Sequence, residues 1–271
     1  MNKHITHISF LAALLTFLTF TNSYAQENND SLFQTSIVQA LLEGDYDGEI
    51  TFEEIHKKGD FGLGTVNHLD GELIGFDGTF YQIKSDGSVH IVTDDMKTPF
   101  AVVTFFKPDY VGNVDKEMSC SEFKEYISNL LPTENIFYAI KVTGDFPYVK
   151  ARSVPEQQMP YPPLTEVAKH EVIFEFSDIQ GTIVGFLLPE YLDEINVTGY
   201  HFHFISEDKK SGGHVLDCTV KNVELEVDYI RDIDISLPDT EPFNTVNLTT
   251  TSNKALKEVE ENKKIQSEEK K

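Results

Sequence analysis

The chain has 271 residues, a formal net charge of −23 at pH 7, and 40% hydrophobic residues. It is long enough to bury a sizeable core in one large domain or two small ones. Such acidity argues against nucleic acid and anionic membranes as partners, and fits a soluble exported protein.

Residues 1–25 read as a signal peptide. Lys3 comes first, then an apolar run from Ile8 to Phe20, then Ser23-Tyr24-Ala25 as a small-residue cleavage site. The run is shorter than a comfortable transmembrane span, and no cysteine follows it to carry a lipid. Cleavage would release a periplasmic or extracellular protein with no membrane attachment. Residues 26–34 read as a flexible N-terminus.

Ser36–Leu42 predicts a short helix, followed by a loop at Gly44-Asp45-Tyr46-Asp47-Gly48 and a helical turn over Thr51–Lys57. The glycine-rich run Gly59–Thr65 lacks the Gly-Lys-Ser/Thr ending of a phosphate loop. Leu73–Ile83 and Ser88–Val92 alternate around Asp86-Gly87, a hairpin signal. Ala101–Phe106 reads as a strand, and Ser121–Leu131 as a serine-capped helix. Phe137–Thr143 is a further strand. A loop carrying Arg152 then becomes proline-rich through Pro163, where a short helix opens. Val172–Phe176, Gly181–Leu187, His201–Ile205, Val215–Val220 and Val223–Ile230 complete a strand-rich second half. Asn253–Glu261 has the spacing of a short helix, and residues 263–271 read as a disordered charged tail.

This pattern predicts a mixed, strand-rich α/β chain: two mixed β-sheet subdomains, over 35–150 and 151–262, with few short helices. The proline cluster sets the boundary. With only Cys120 and Cys218 present, the chain is no disulfide scaffold. Whether the two pair is left open. Cys218 lies in an apolar strand-like run, where a buried free thiol is the commoner state.

The strongest chemical signal is Gly199-Tyr200-His201-Phe202-His203-Phe204-Ile205. Strand side chains alternate between faces, so His201 and His203 share one face while Tyr200, Phe202 and Phe204 take the other. Gly212-Gly213 can reverse the chain and bring His214 beside them as a hairpin. Three imidazoles on one face are the ligand set of a catalytic zinc site with one position open. His56, His68, His90 and His170 lack a same-face partner at ligand spacing and read as non-ligands.

Several segments, in order, resemble the α-acetolactate decarboxylase family over roughly residues 35–262. They are Gly62-Leu63-Gly64-Thr65-Val66-Asn67, Leu69-Asp70-Gly71-Glu72-Leu73-Ile74 with Asp77-Gly78, Arg152-Ser153-Val154-Pro155-Glu156-Gln157, Gly181-Thr182 with Gly185-Phe186, Pro189 with Tyr191, and the histidine hairpin through Asp217. One departure is Ser153, where threonine is the family's residue.

The resemblance implies conversion of 2-acetolactate to acetoin and carbon dioxide, with Zn2+ held by His201, His203 and His214, in a homodimer. It also implies catalytic roles for Glu72, Arg152 and Glu260, with Thr65 and Arg152 binding substrate. The chemistry suits these residues. Loss of carbon dioxide leaves a metal-stabilised enediolate, neutral histidines preserve the ion's charge, and a guanidinium fork can hold a carboxylate. Glu72 and Glu260 are candidates for proton delivery.

Two other readings differ in class. His201-x-His203 followed by Glu207 resembles part of a cupin-like metal oxygenase motif, although Ile195 stands where that motif has glycine. A non-enzymatic exported metal- or ligand-binding module is the other.

Overall fold

The computed structural model describes residues 31–248 together with Leu256, Val259 and Glu260. The expected signal peptide and the charged end of the tail lie outside the described residues. Among those described, no helix is long and apolar enough to cross a membrane.

In chain order the elements are β1 (Ser31–Thr35), α1 (Val38–Leu42), α2 (Phe52–Ile55), β2 (Phe61–Gly64), β3 (Glu72–Phe76), β4 (Thr79–Ile83), β5 (Val89–Ile91), β6 (Ala101–Thr104), β7 (Tyr110–Val114), β8 (Met118–Ser119), α3 (Cys120–Leu130), β9 (Phe137–Ser153), α4 (Leu164–Val167), β10 (Val172–Leu188), β11 (Gly199–Ser206), β12 (Gly212–Ile230), β13 (Asp232–Ser236) and α5 (Glu241–Thr245). This is the strand-rich mixed architecture the sequence predicts.

The first sheet has seven strands in the order β13-β1-β6-β2-β3-β4-β5. It is mixed, because β1 runs parallel to β13 and antiparallel to β6. The second sheet runs β11-β10-β9-β12-β7, with β8 also on β12. β11 pairs with β12 as well, so β11, β10, β9 and β12 form a closed ring.

Side-chain alternation divides the core. Leu63, Ile74 and Val102 of the first sheet and Val184, Phe186 and Ile205 of the second share one buried cluster between the sheets. Leu73, Phe80 and Val103 face the other side of the first sheet and pack with Phe52 and Ile55 of α2. On the ring, Phe202 and Phe204 join Phe146 and Val149, together with Phe123 and Ile127 of α3. Both α2 and α3 open on a capping box, Thr51 with Glu54 and Ser119 with Glu122.

The structure departs from the sequence reading in several places. The span Leu73–Ile83 is two strands, turned at Asp77-Gly78, where both residues have positive φ (51° and 72°). Alternation continues through so short a turn and hides it. Residues 31–34, expected to be flexible, belong to β1; Leu32 and Phe33 are buried and the strand is sandwiched between β6 and β13. The expected boundary at 150/151 falls inside β9, and the crossover to the second sheet comes before β7. Arg152 therefore stands on a strand and not in a loop.

Cys120 and Cys218, whose pairing the sequence leaves open, form a disulfide, although a buried free thiol is the commoner state for such a run. The disulfide ties the start of α3 to β12. Asn196, the acceptor position of an Asn-Val-Thr sequon, is buried and donates its amide to Gln34 Oε1 at 2.6 Å.

Candidate metal centre and active site

His201 and His203 lie two apart on β11 and face the cluster between the sheets, while Phe202 and Phe204 face the other way. His214 opens β12 directly opposite His203. Gly213 permits this approach: its φ is 146°, and a Cβ there would collide with the Arg152 carbonyl. All three imidazoles are buried, and their ligand-capable atoms lie within 4.8 Å of one another.

The ring orientation of His203 is fixed from behind. Its Nδ1 lies 2.7 Å from the Leu73 carbonyl, which can only accept, so Nδ1 carries the proton and Nε2 presents a lone pair. That buried Nε2 has no hydrogen-bond partner. Burial holds all three rings neutral. His201 is pushed down to about 3 by burial, then by Arg152 and Lys124. His203 is well below the usual range through burial, His201 and Arg152, and His214 through burial, Arg152 and the other two histidines.

Arg152, near the end of β9, lies opposite His214 on β12. Its side chain is 5% exposed and faces three carboxylates: Glu72 at 3.6 Å, Glu260 at 3.6 Å and Glu171 at 3.4 Å. Burial works against the guanidinium's charge, but Glu72, Glu260 and Glu171 together raise its pKa. Burial pushes Glu72 up to about 7, against the pull of Arg152 and with help from Glu260 and Glu171. Burial likewise raises Glu260.

Glu72 also lies 3.6 Å from His203 Nε2. Glu260 approaches His201 at 3.7 Å and His214 at 3.5 Å. Leu256 and Val259, each 4% exposed, seat this tail segment in the core between the sheets. Thr65 follows β2, and its hydroxyl donates to the Gly71 carbonyl at 2.7 Å. That leaves only its lone pairs for a ligand.

One cavity collects all of these. Its lining includes Thr65, Glu72, Arg152, His201, His203, His214 and Glu260, with apolar walls from Val38, Leu41, Leu69, Phe100, Val154, Leu164 and Val197. The sequence reading named every polar member of this set. It missed Glu171, which touches Arg152 from outside the lining; no motif marks it, and only the fold brings it there. Glu207 is exposed on the turn after β11 and takes no part. His56 and His68 pair instead with Asp94 and Asp47.

The donor set fits a metal ion. Three neutral nitrogens converge, one has a buried lone pair with no partner, and the surroundings hold more carboxylates than cations, so a divalent ion would restore balance.

A ring-closed antiparallel sheet packed on a mixed sheet encloses a cavity whose three histidines could hold a metal ion. A family model described as alpha-acetolactate decarboxylase matches residues 32–250. The alpha-acetolactate decarboxylase of Bacillus subtilis is 44% identical over 217 residues, covering 80% of this chain and 85% of that protein. That of Methanosarcina mazei is 42% identical, covering 86% and 81% respectively. A crystal structure of the Bacillus subtilis enzyme superposes with a TM-score of 0.83 at 43% identity, covering 85% of this chain and 99% of that one. The chain belongs to the alpha-acetolactate decarboxylase family, a family of carboxy-lyases.

Proposed function

We propose that this enzyme decarboxylates 2-acetolactate to acetoin and carbon dioxide, with zinc held by His201, His203 and His214. The observation that carries the reading is the convergence of those histidines with Arg152, Glu72, Glu260 and Thr65 on one buried cavity. Three histidines with an open position are the ligand set of catalytic zinc sites, although imidazoles also accept other divalent ions, and metal analysis of protein purified without added ions identifies the native one. A zinc ion bound there supplies Lewis-acid stabilisation of charge growing on the substrate's ketone oxygen.

In the reaction the bond from the hydroxyl-bearing carbon to the carboxylate breaks. Its electron pair moves toward the ketone oxygen and leaves an enediolate, and one proton added at carbon gives acetoin. Arg152 holds the anionic substrate and faces the developing charge with a fixed guanidinium fork. Glu72 and Glu260 both reach the cavity and carry the proton. Thr65 accepts a hydrogen bond from the substrate's hydroxyl, since its own proton is committed to Gly71. The apolar walls exclude water and meet the two methyl groups.

The deciding experiment incubates purified protein with racemic acetolactate and assays acetoin, with and without a chelator. Acetoin that disappears with chelation and returns with zinc supports the reading. No turnover marks a binding module, and oxygen consumption marks an oxygenase.

Export and a homodimer complete the proposal. The Cys120–Cys218 disulfide supports an oxidising compartment, periplasmic or extracellular. The secreted protein is expected to begin at residue 26 by mass spectrometry. The dimer rests on the family resemblance and is tested by analytical ultracentrifugation.

A further inference from the structure

We infer that Glu171 is the positioning residue of Arg152, and that it acts as a buried counter-charge held behind Nε. This rests on the decarboxylase reading in one respect, the assignment of Arg152 to the reacting charge.

Glu171 is the residue immediately before β10. Its backbone N–H donates to the Ala168 carbonyl at 3.4 Å, closing the single turn that follows α4. The next two residues, Val172 and Ile173, lie opposite Ser153 and Arg152 on β9. The backbone therefore delivers the Glu171 carboxylate to the rear of the arginine side chain. Oε2 sits 3.4 Å from Nε, with the two side chains 4% and 5% exposed.

The three carboxylates around Arg152 are not equivalent. Glu72 and Glu260 face the two terminal nitrogens and line the cavity themselves. Both lie on the side where an anionic substrate would bind, so both compete with it for the same donors. Glu171 faces Nε and is absent from the cavity lining. It alone of the three can hold the guanidinium without occupying the donors that a substrate needs. Because the guanidinium is planar, anchoring Nε fixes the plane in which the other two nitrogens point. A misplacement of about 1 Å at such a group costs on the order of a hundredfold in rate.

The test uses the full-length zinc-loaded protein with Glu171→Leu and Glu171→Gln. The leucine variant keeps the volume and removes the whole carboxylate, while the glutamine variant keeps its shape and removes only the charge. Zinc content and thermal unfolding are measured alongside, and kcat and KM are determined separately with acetolactate. The expected result is a loss in kcat of about 10- to 100-fold for Glu171→Leu, with zinc content unchanged. Glu171→Gln, which lacks only the charge, shows a loss of the same order. Turnover of Glu171→Leu within twofold of the parent overturns the inference, as does a Glu171→Gln variant that turns over within twofold of the parent. If Glu171→Leu fails to fold, Glu171→Gln against Glu171→Ala decides in the same way. A parent protein with no turnover at all is a different outcome, and it removes the decarboxylase reading itself.

Discussion

Arg152 on β9 and His214 on β12 are direct register partners, and His214 is in turn the partner of His203 on β11. One row across three strands thus carries a guanidinium and two of the three imidazoles. Directly opposed residues in antiparallel strands hold their Cβ atoms about 4.5–5.5 Å apart. The spacing between the guanidinium and the imidazoles is therefore set by backbone hydrogen bonds, and no loop conformation has to be ordered to create it.

The strand position of Arg152 sharpens its test. Arg152→Lys keeps a positive charge and loses the planar fork. A single ammonium cannot meet Glu72, Glu171 and Glu260 from three sides and also face a substrate. The expected loss in kcat/KM is at least about a hundredfold, comparable to removing one preorganised donor to transition-state charge. A lysine variant within a few-fold of the parent would show that bulk positive charge suffices.

Replacing His201, His203 or His214 singly by alanine is expected to reduce bound zinc and acetoin formation together. The effect on folding differs from that of breaking a buried ion pair, because each buried ring is held neutral. Removing one strands no charge of its own and costs packing of about 1.5–3 kcal/mol, while loss of the bound ion leaves the surrounding carboxylates without its compensating charge. Elemental analysis of the His201→Ala/His203→Ala double variant decides the assignment: full zinc occupancy there excludes this site as the metal centre.

The three histidines were legible from the residue pattern alone, whereas Thr65, Glu72, Arg152 and Glu260 were legible only through the family resemblance. A period of two places His201 and His203 on one face, and the Gly-Gly step returns His214 beside them. The fold was less legible where strands run long. β9, β10 and β12 have 17, 17 and 19 residues, and each reads as two shorter strands or as strand and loop. Polar residues midway, such as Asp145 of β9 and Lys221 of β12, are held by other polar side chains, so the apolar pattern breaks while the backbone ladder continues. Glu171 was invisible for another reason. Its partner Arg152 is brought to it by sheet register, and register between distant strands leaves no local mark. The pairing of Cys120 with Cys218 had the same cause.

The disulfide should matter for stability and not for chemistry. It closes a span of 98 residues, and crosslinks over loops of this size stabilise by about 2–5 kcal/mol. Both cysteines belong to the cluster between the ring and α3, on the face opposite the histidines. Replacing both by alanine is expected to lower the unfolding free energy by that amount in denaturant titrations and to leave kcat near the parent value. A reductant should lower the melting temperature of the parent and leave the double variant unchanged. A loss of turnover in a folded double variant would mean that β12 needs the crosslink to hold His214 in register.

The tail offers the sharpest separation of structure from chemistry. Leu256 and Val259 are buried in the cluster between the sheets, and Glu260 reaches Arg152, His201 and His214 from the same segment. Ending the chain after Asn262 keeps Leu256, Val259 and Glu260 and is expected to leave turnover intact. Ending it after Thr251 removes two apolar anchors together with the carboxylate. Each anchor contributes about 1.5–3 kcal/mol when fully buried, so this truncation should lower stability as well as abolish acetoin formation. Glu260→Gln distinguishes the two losses. It keeps the segment docked through Leu256 and Val259, leaves the backbone carbonyl that faces His214 at 3.3 Å, and removes the proton-carrying group. The expected result is an unchanged melting temperature, unchanged zinc content, and turnover reduced by about two orders of magnitude, the usual scale for a general acid or base. If Glu260→Gln turns over normally while the Thr251 truncation does not, the tail serves only to seal the cavity, and Glu72 carries the proton alone.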